Sequence, residues 1–415
     1  MAGRKLQVPR GTFDVLPDDA QRRRELYRRA GSVLGRYGYR PFETPVFEDT
    51  ELFARGVGES TDIVRKEMFT FEDRGGRSLT LRPEGTAGVA RAYVEHGMHK
   101  LPQPVKLWYW GPFFRHERAQ AGRYRQFAQV GVEALGSDDP SLDAEAVLLL
   151  AELLEAAGVR EIRLRLSSLG SPDARAAYLE SLRGYLREHE SKLSEDVRGR
   201  IDANPLRAFD ADHEGTRAVM ASAPRLLDSL AGDDAEHFAE VCALLDDAGV
   251  SYDVDATLVR GLDYYTRTVF EFESAKLGAQ SGVGGGGRYD GLVEQLGGPA
   301  TPGVGWAAGI ERILLASESS LGGFPAPVFV ALADDGDRRE AFRLVTALRE
   351  AGVRAELEQA GRSIKGQLKH ADRLGAKAVA IVGGQGLEWK DMTNGEQRAV
   401  TNVQEAVRIA VGLEA

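Results

Sequence analysis

Arg115, Glu117, Arg118, Arg123 and Arg125 crowd into one short stretch, Phe114-Arg115-His116-Glu117-Arg118-Ala119-Gln120-Ala121-Gly122-Arg123-Tyr124-Arg125-Gln126-Phe127, which continues Ala128-Gln129-Val130-Gly131-Val132-Glu133. Fixed cations at this density suit phosphate oxygens, because a guanidinium presents a planar fork of donors that matches them. If the second half runs as a strand, alternation sends Phe127, Gln129, Gly131 and Glu133 to one face and Ala128, Val130 and Val132 to the other. The second set is apolar and belongs to a core. The first set, a ring, an amide, a gap and a carboxylate, suits the wall of a polar pocket, and Arg115 and Glu117 share a face ahead of the loop. A solvated hairpin is the plain alternative, but the aromatic run leading into Arg115 argues against full exposure of that face.

Further segments offer weaker chemistry. In Leu81-Arg82-Pro83-Glu84-Gly85-Thr86, Gly85 permits a tight turn and Thr86 caps the next helix, leaving Glu84 free at a sheet rim to hold an ammonium group. Leu258-Val259-Arg260-Gly261-Leu262-Asp263-Tyr264-Tyr265 joins a cation to paired phenols, although core tyrosines are common. Gly282-Val283-Gly284-Gly285-Gly286-Gly287-Arg288-Tyr289-Asp290-Gly291 lets backbone come close to a partner, or is simply a flexible loop; it lacks the Lys-Ser/Thr ending of a Walker loop. Gly303 to Gly309 reads as a strand entering a helix through small residues, with Arg312 near the helix start.

The elements that must position these groups follow from periodicity. Leu26, Ala30, Val33, Leu34 and Tyr37 form one helical face with Gly38 as its stop, and Val105–Phe114 reads as a strand. Strands broken by polar loops suggest an antiparallel sheet more than a doubly wound one. From about 171 to 255 the pattern is helical and charged, including Ala174–Leu186 and Glu236–Ala248, and reads as an insertion. Gly322-Gly323-Phe324-Pro325-Ala326-Pro327 reads as a linker. Beyond it, Val328–Leu332, Ala355–Glu358 and Ala378–Val382 alternate with helices from about Arg338 and Ser363, a small parallel α/β domain.

The 415 residues allow two or three domains, and 43% hydrophobic with 28% charged residues are soluble, globular proportions. One cysteine, Cys242, excludes disulfide and cysteine-rich metal frameworks. No apolar run approaches membrane-spanning length and the start is unlike a signal peptide, so the expectation is a cytoplasmic protein without a membrane partner. The net charge of −10 argues against holding nucleic acid by bulk attraction but leaves room for a local basic surface. Residues 327–415 hold 13 Lys+Arg against 13 Asp+Glu, and within them Lys365, Lys369, Arg373 and Lys377 recur every four residues, a basic stripe or simply a solvated helix face.

Taken in order, these segments resemble the histidyl-tRNA synthetase family of class II aminoacyl-tRNA synthetases. Phe42-Glu43-Thr44-Pro45-Val46 is similar to the class II dimer-interface motif, Arg115 through Phe127 to the second motif and Gly309-Ile310-Glu311-Arg312 to the third. Arg10-Gly11-Thr12-Phe13-Asp14-Val15-Leu16-Pro17, Leu258 to Tyr265 and Gly285 to Gly291 are similar to the histidine-specific signatures. Departures are small: Ala119 and Ala128 stand where the family has Pro and His, and Trp306 where Phe is usual.

The resemblance implies an α+β catalytic domain on an antiparallel sheet with flanking helices (1–325, helical insertion about 171–255). An α/β anticodon-binding domain (326–415) follows. It implies activation of L-histidine with ATP and Mg2+, transfer to histidine tRNA, and a homodimer. Arg115 would bind the α-phosphate, Glu117 the adenine edge and Arg123 the terminal phosphates, with Phe127 and Arg312 sandwiching adenine. Arg260 would stabilise charge at the α-phosphate. Glu84, Thr86 and Gln129, with Gly85 beside them, would take the α-amino group, and Glu133, Tyr264 and Tyr265 the imidazole; Arg115 and Arg260 also border the amino acid. Gln120, Lys365, Lys369 and Arg373 would meet tRNA, and no protein side chain is assigned as a metal ligand. The rivals are a non-catalytic, synthetase-like regulatory subunit of histidine biosynthesis and a stand-alone tRNA-binding scaffold. The retained Arg115, Arg260 and Arg312 argue against both.

Overall fold

A computed structural model of the protein describes residues 6–58, 61–117, 122–258, 262–278, 281–318, 327–333, 337–384 and 386–412. The chain divides into two units, Met1–Gly322 and Gly323–Ala415; the expected linker up to Ala326 lies outside the described residues. The first unit runs α1 (Pro17–Arg36), β1 (Arg40–Pro41), β2 (Phe47–Asp49), α2 (Thr50–Val57), a π-helical turn (Ile63–Glu67), β3 (Phe69–Glu72), β4 (Ser78–Leu81), α3 (Thr86–Glu95), β5 (Val105–Phe114), β6 (Gln126–Leu135), α4 (Pro140–Ala156) and β7 (Ile162–Ser168). The insertion supplies α5 (Pro172–Glu188), α6 (Glu195–Arg198), a 3-10 helix (Pro205–Asp210), α7 (Glu214–Met220) and α8 (Asp233–Asp247). Then come β8 (Asp253–Val254), β9 (Thr266–Ser274), β10 (Gly282–Arg288), α9 (Leu292–Gln295), β11 (Gly303–Gly309) and α10 (Ile310–Ala316).

Among the described residues, eight strands form one sheet in the order β1-β5-β6-β11-β10-β9-β7-β8. Pairing is antiparallel through the middle and parallel only where β1 meets β5 and β8 meets β7. Its two faces are separate cores. Ala128, Val130 and Val132 of β6 pack with Leu26, Ala30, Val33 and Leu34 of α1 and with α4 on one side. Tyr109 and Phe113 of β5 pack with Tyr264, Tyr265, Tyr289 and the apolar residues of the insertion on the other. α1 starts with Pro17 at its first position and Asp18 and Asp19 in its first turn, and it stops before Gly38, whose φ is +79°. Each fully buried leucine on its face contributes about 1.5–3 kcal/mol.

The glycine run is a strand, not a loop. β10 lies between β9 and β11, and a Cβ on Gly286 or Gly287 would overlap the carbonyl of Gly305 or Thr268. Glycine is needed there for space rather than flexibility. The strand leads to Arg288, whose fully buried guanidinium donates to both carboxylate oxygens of Asp143 on α4, to the Ser137 carbonyl (3.0 Å) and to Asp290 (3.1 Å).

In the second unit β12 (Val328–Leu332), α11 (Arg338–Glu350), β13 (Ala355–Leu357), α12 (Ile364–Arg373) and β14 (Ala378–Gly383) make the expected parallel alternation. Two strands the sequence reading did not resolve, β15 (Gly386–Asp391) and β16 (Gln397–Val400), then add antiparallel, making the sheet mixed, and α13 (Val403–Gly412) closes its core. The basic stripe is shorter than expected. Lys365, Lys369 and Arg373 are exposed on α12, but the helix ends there and Gly375, at φ +65°, turns the chain before Lys377.

Removing one partner of a buried ion pair strands the other charge, which costs about 3–5 kcal/mol. Asp143→Ala is therefore expected to lower the urea midpoint of the first unit markedly, followed by tryptophan fluorescence. A wild-type midpoint would show that the Arg288–Asp143 pair carries no stability.

Candidate functional site

The register of β5 and β6 places Phe127 and Gln129 at the edge of a cavity of about 750 Å³. Arg115, Glu117, Arg123, Arg312, Gly284 and Gly285 also line it. The sequence-derived phosphate and adenine residues thus converge as a group. Arg115 is held by a 2.8 Å bond from Nε to the Pro83 carbonyl, lies 3.9 Å from Glu117, and stacks over Phe127 at 5.5 Å. Arg123 reaches Glu117 at 3.1 Å. Arg312, on the first turn of α10, donates to the Gly282 carbonyl, and burial, then the like charge of Arg123, lowers its pKa. Glu311 next to it accepts from the Ala128 amide and from Arg23 at 2.7 Å, which ties α10 to β6 and α1. Buried Gln129 Oε1 has no hydrogen-bond partner among the described residues, an acceptor that a ligand donor would satisfy.

Glu84, Thr86, Glu133, Tyr264 and Tyr265 form a second, buried cluster joined to the cavity through Arg115. Their hydrogen bonds differ from the expected ones. Glu84, not Thr86, caps α3: its carboxylate accepts from the amides of Thr86 (2.7 Å) and Ala87 (2.9 Å). Thr86 Oγ1 instead donates to Glu133 (2.7 Å), and Tyr264 OH lies 3.4 Å from Glu84. Gly85 has an ordinary φ of −101°, so the glycine serves space. A Cβ there, or on Gly131, would overlap the Tyr109 ring, which fits between them.

Glu133, at 0% exposure, accepts from Thr86, Tyr109 (3.3 Å) and Tyr289 and pairs with no cation among the described residues. Burial pushes its carboxyl up to about 8 against those donors, with Glu84 adding to the rise. Burial likewise raises Glu84, and the charge of Arg115 offsets part of that. Two buried carboxyl groups surrounded by hydroxyls form a pocket whose electrostatic cost a cationic ligand would relieve.

Residues without an expected role complete the frame. Tyr289 was visible inside the glycine-rich motif but carried no distinguishing signal. Arg175 of α5 donates to the carbonyls of Asp263 (3.2 Å) and Tyr265 (2.9 Å), so the insertion braces the tyrosine segment. Glu271 and Glu273 of β9 bring carboxylates to the cavity wall. The amide of Arg125 donates to the Gly11 carbonyl, and Phe13 stacks on Tyr124, tying the Arg10–Pro17 segment to the cavity. Arg260, Gln120, Arg118 and Ala119 lie outside the described residues.

Comparison with known proteins gives a match to the histidyl-tRNA synthetase family over residues 11–313 and to an anticodon binding domain over 328–410. The chain is 50% identical over 412 residues to a histidine–tRNA ligase of Rubrobacter xylanophilus, covering 95% of this chain and 96% of that one. It is 48% identical over 402 residues to that of Desulforamulus reducens, with the same coverages. An apo histidyl-tRNA synthetase structure from S. aureus superposes with a TM-score of 0.82 at 37% identity, covering 98% of this chain and 100% of that one.

The Glu133 shift predicts a pH dependence of stability. The folded carboxyl keeps its proton up to about pH 8, whereas an unfolded glutamate releases it near 4.5. Between these values the folded state binds more protons, so ligand-free stability falls as pH rises through that window, by roughly a few kcal/mol. Glu133→Gln should flatten this slope in urea titrations at pH 5 to 8.5. An unchanged slope would mean that Glu133 ionises normally.

Proposed function

We infer the chemistry of the cavity from the premise that this chain belongs to the histidyl-tRNA synthetase family and is a histidine–tRNA ligase. The observation that carries the site assignment is the pair of buried carboxyl groups, Glu84 and Glu133, opening beside a cavity rich in arginine. One end suits a small cationic amino acid and the other a nucleoside triphosphate. Histidine enters with its α-ammonium toward Glu84, Thr86 and Gln129, beside Gly85. Its imidazole lies toward Glu133, with Tyr264, Tyr265 and Tyr289 around it. An apolar analogue would leave the carboxyl pocket unpaired, which is the basis of selection.

ATP lies with adenine between Phe127 and Arg312, its edge on Glu117, its α-phosphate on Arg115 and its terminal phosphates on Arg123. The histidine carboxylate oxygen attacks the α-phosphorus in line, a P–O bond forms to give histidyl-adenylate, and pyrophosphate leaves. No side chain need act as nucleophile. Arg260 stabilises the charge gained at the α-phosphate, and Arg115 begins doing so in the ground state. The terminal ribose hydroxyl of tRNA then attacks the carbonyl carbon and AMP leaves. Among the described residues no cluster of three or more candidate ligands could cage a metal. Mg2+ prefers one or two carboxylates plus phosphate oxygens, which Glu271 and Glu273 fit, and when bound it would neutralise phosphate charge.

The second unit reads the anticodon, with Lys365, Lys369 and Arg373 of α12 meeting the tRNA backbone and Gln120 meeting its acceptor end. Exposed Val46, Phe47 and Phe71 around Pro45 support a homodimer through that surface. No described helix is long and apolar enough to cross a membrane.

Histidine-dependent ATP–pyrophosphate exchange is the direct test, and its absence would overturn the assignment. Within it, Arg260→Ala should bind both substrates nearly normally yet form adenylate about 10²–10³ more slowly in single turnover. A near-normal rate would make Arg260 structural. A chain ending at Pro325 should still make adenylate but charge tRNA poorly. Unimpaired charging at low tRNA concentration would remove the anticodon role of the second unit.

A further inference from the structure

The helical insertion also reaches the cavity: Arg207, on the 3-10 helix Pro205–Asp210, lines it, and its guanidinium pairs with Asp62. Asp62 immediately precedes the π-helical turn Ile63–Glu67 and gathers further cations, Arg200 at 3.9 Å and Lys66 at 4.0 Å. The turn is anchored in the site: the Glu67 carbonyl accepts from the His116 amide at 2.7 Å, beside Arg115 and Glu117. The surroundings of the Glu67 side chain agree. Burial and then Glu117 raise its carboxyl, Arg115 and Arg123 oppose them, and Asp62 also acts on it. The Asp62–Arg207 pair therefore lies at the end of the cavity that carries Arg115 and Arg123.

The backbone that carries Arg207 is not loose. Its neighbours Leu206 and Ala208 are buried in the same apolar cluster as Tyr264 and Tyr265. The side chain is about a third exposed (32%), as is that of Asp62 (34%), so the head group can exchange partners without unpacking its helix. A carboxylate carries one charge, whereas the triphosphate of ATP carries several and offers oxygens suited to a guanidinium fork.

We propose that Arg207 is an ATP-binding residue supplied by the insertion, parked on Asp62 without nucleotide and transferred to the triphosphate when ATP enters. The insertion thereby closes the phosphate end of the activation site. This rests on the reading of the cavity as the ATP site.

The test is histidine-dependent ATP–pyrophosphate exchange by the full-length chain carrying Arg207→Ala, Arg207→Lys or Asp62→Asn, alongside single-turnover transfer from preformed adenylate to tRNA. Arg207→Ala should raise KM for ATP by about 10- to 100-fold, the range for one charged hydrogen bond. KM for histidine and the transfer step should be unchanged, and Arg207→Lys should recover part of the loss. Asp62→Asn should leave KM for ATP unchanged or lower, because it removes a carboxylate that competes with phosphate for Arg207. A structural clasp predicts the opposite, equal defects from both sides of the pair, and that result would overturn the proposal. So would a normal KM for ATP in Arg207→Ala, or a defect confined to transfer, which would assign Arg207 to the tRNA end. Absence of exchange in the unmodified chain would instead remove the ATP-site reading itself.

Discussion

A carboxyl group with no access to water is costly to ionise, and the first unit is built around one, Glu133, which has no cation beside it among the described residues. Three hydroxyls, from Thr86, Tyr109 and Tyr289, approach its oxygens from three separate elements: α3, β5 and the segment after β10. Each places a constraint on its neighbours. Tyr109 needs glycine at 85 and 131, Glu133 itself leaves no room for a Cβ on Gly305, and Tyr289 is delivered by Arg288, anchored on Asp143. The glycine pattern and the buried ion pair are therefore consequences of aiming hydroxyls at one carboxyl. The hydroxyls stabilise the charge only in part, and the remainder is the driving force available to an incoming cationic ligand.

The insertion belongs to this arrangement rather than standing beside it. Arg175 is half-buried and has two carbonyl partners in the Asp263–Tyr265 segment, and burial lowers its pKa, so lifting α5 away would break both bonds. Leu182, Leu186, Leu206 and Ala208 share a core with Tyr264 and Tyr265. Removing the insertion would expose that core and unseat the tyrosines, so under the proposed assignment its integrity would be a condition of amino-acid recognition.

How far the sequence was legible depends on the range of the interaction. α1, β5 and β6 were readable because their burial follows local periodicity, and the pocket face of β6 followed from alternation alone. The roles of Glu84 and Thr86 were exchanged because a cap is chosen by competition: Thr86 is drawn to Glu133, 47 residues away, and the neighbouring carboxylate takes the amides. The strand Gly282–Arg288 resembled a loop because glycine leaves no side-chain pattern, and the reason for glycine lies in the backbones of β9 and β11. Asp62 and Arg207 are 145 residues apart and each looks like an ordinary surface charge. Tyr289 stands in the glycine-rich motif, but nothing local distinguishes a phenol that donates to a carboxyl from one that fills a core.

The same distinction between local and global resolves the charge. A net charge of −10, all of it before residue 327, is on its face hostile to a polyanionic nucleotide. Salt screens exposed charges beyond about 8 Å at physiological ionic strength, so distant surface acids contribute little at the cavity. Along the cavity walls stand Arg115, Arg123, Arg207 and Arg312, with Glu117, Glu271 and Glu273 between them. Carboxylates meet some of these cations, Glu117 beside Arg123 and Asp62 beside Arg207, while Arg115 is anchored by the Pro83 carbonyl and Arg312 by the Gly282 carbonyl, and Arg123 and Arg312 repel each other. A polyanion would relieve that repulsion and a neutral nucleoside would not, so under the proposed assignment the phosphates, more than the base, would supply the drive to enter. The carboxylates would then serve the opposite need, since arginines alone would retain a pyrophosphate product. Under the proposed assignment, mixed walls would let the site bind a triphosphate and still release that product.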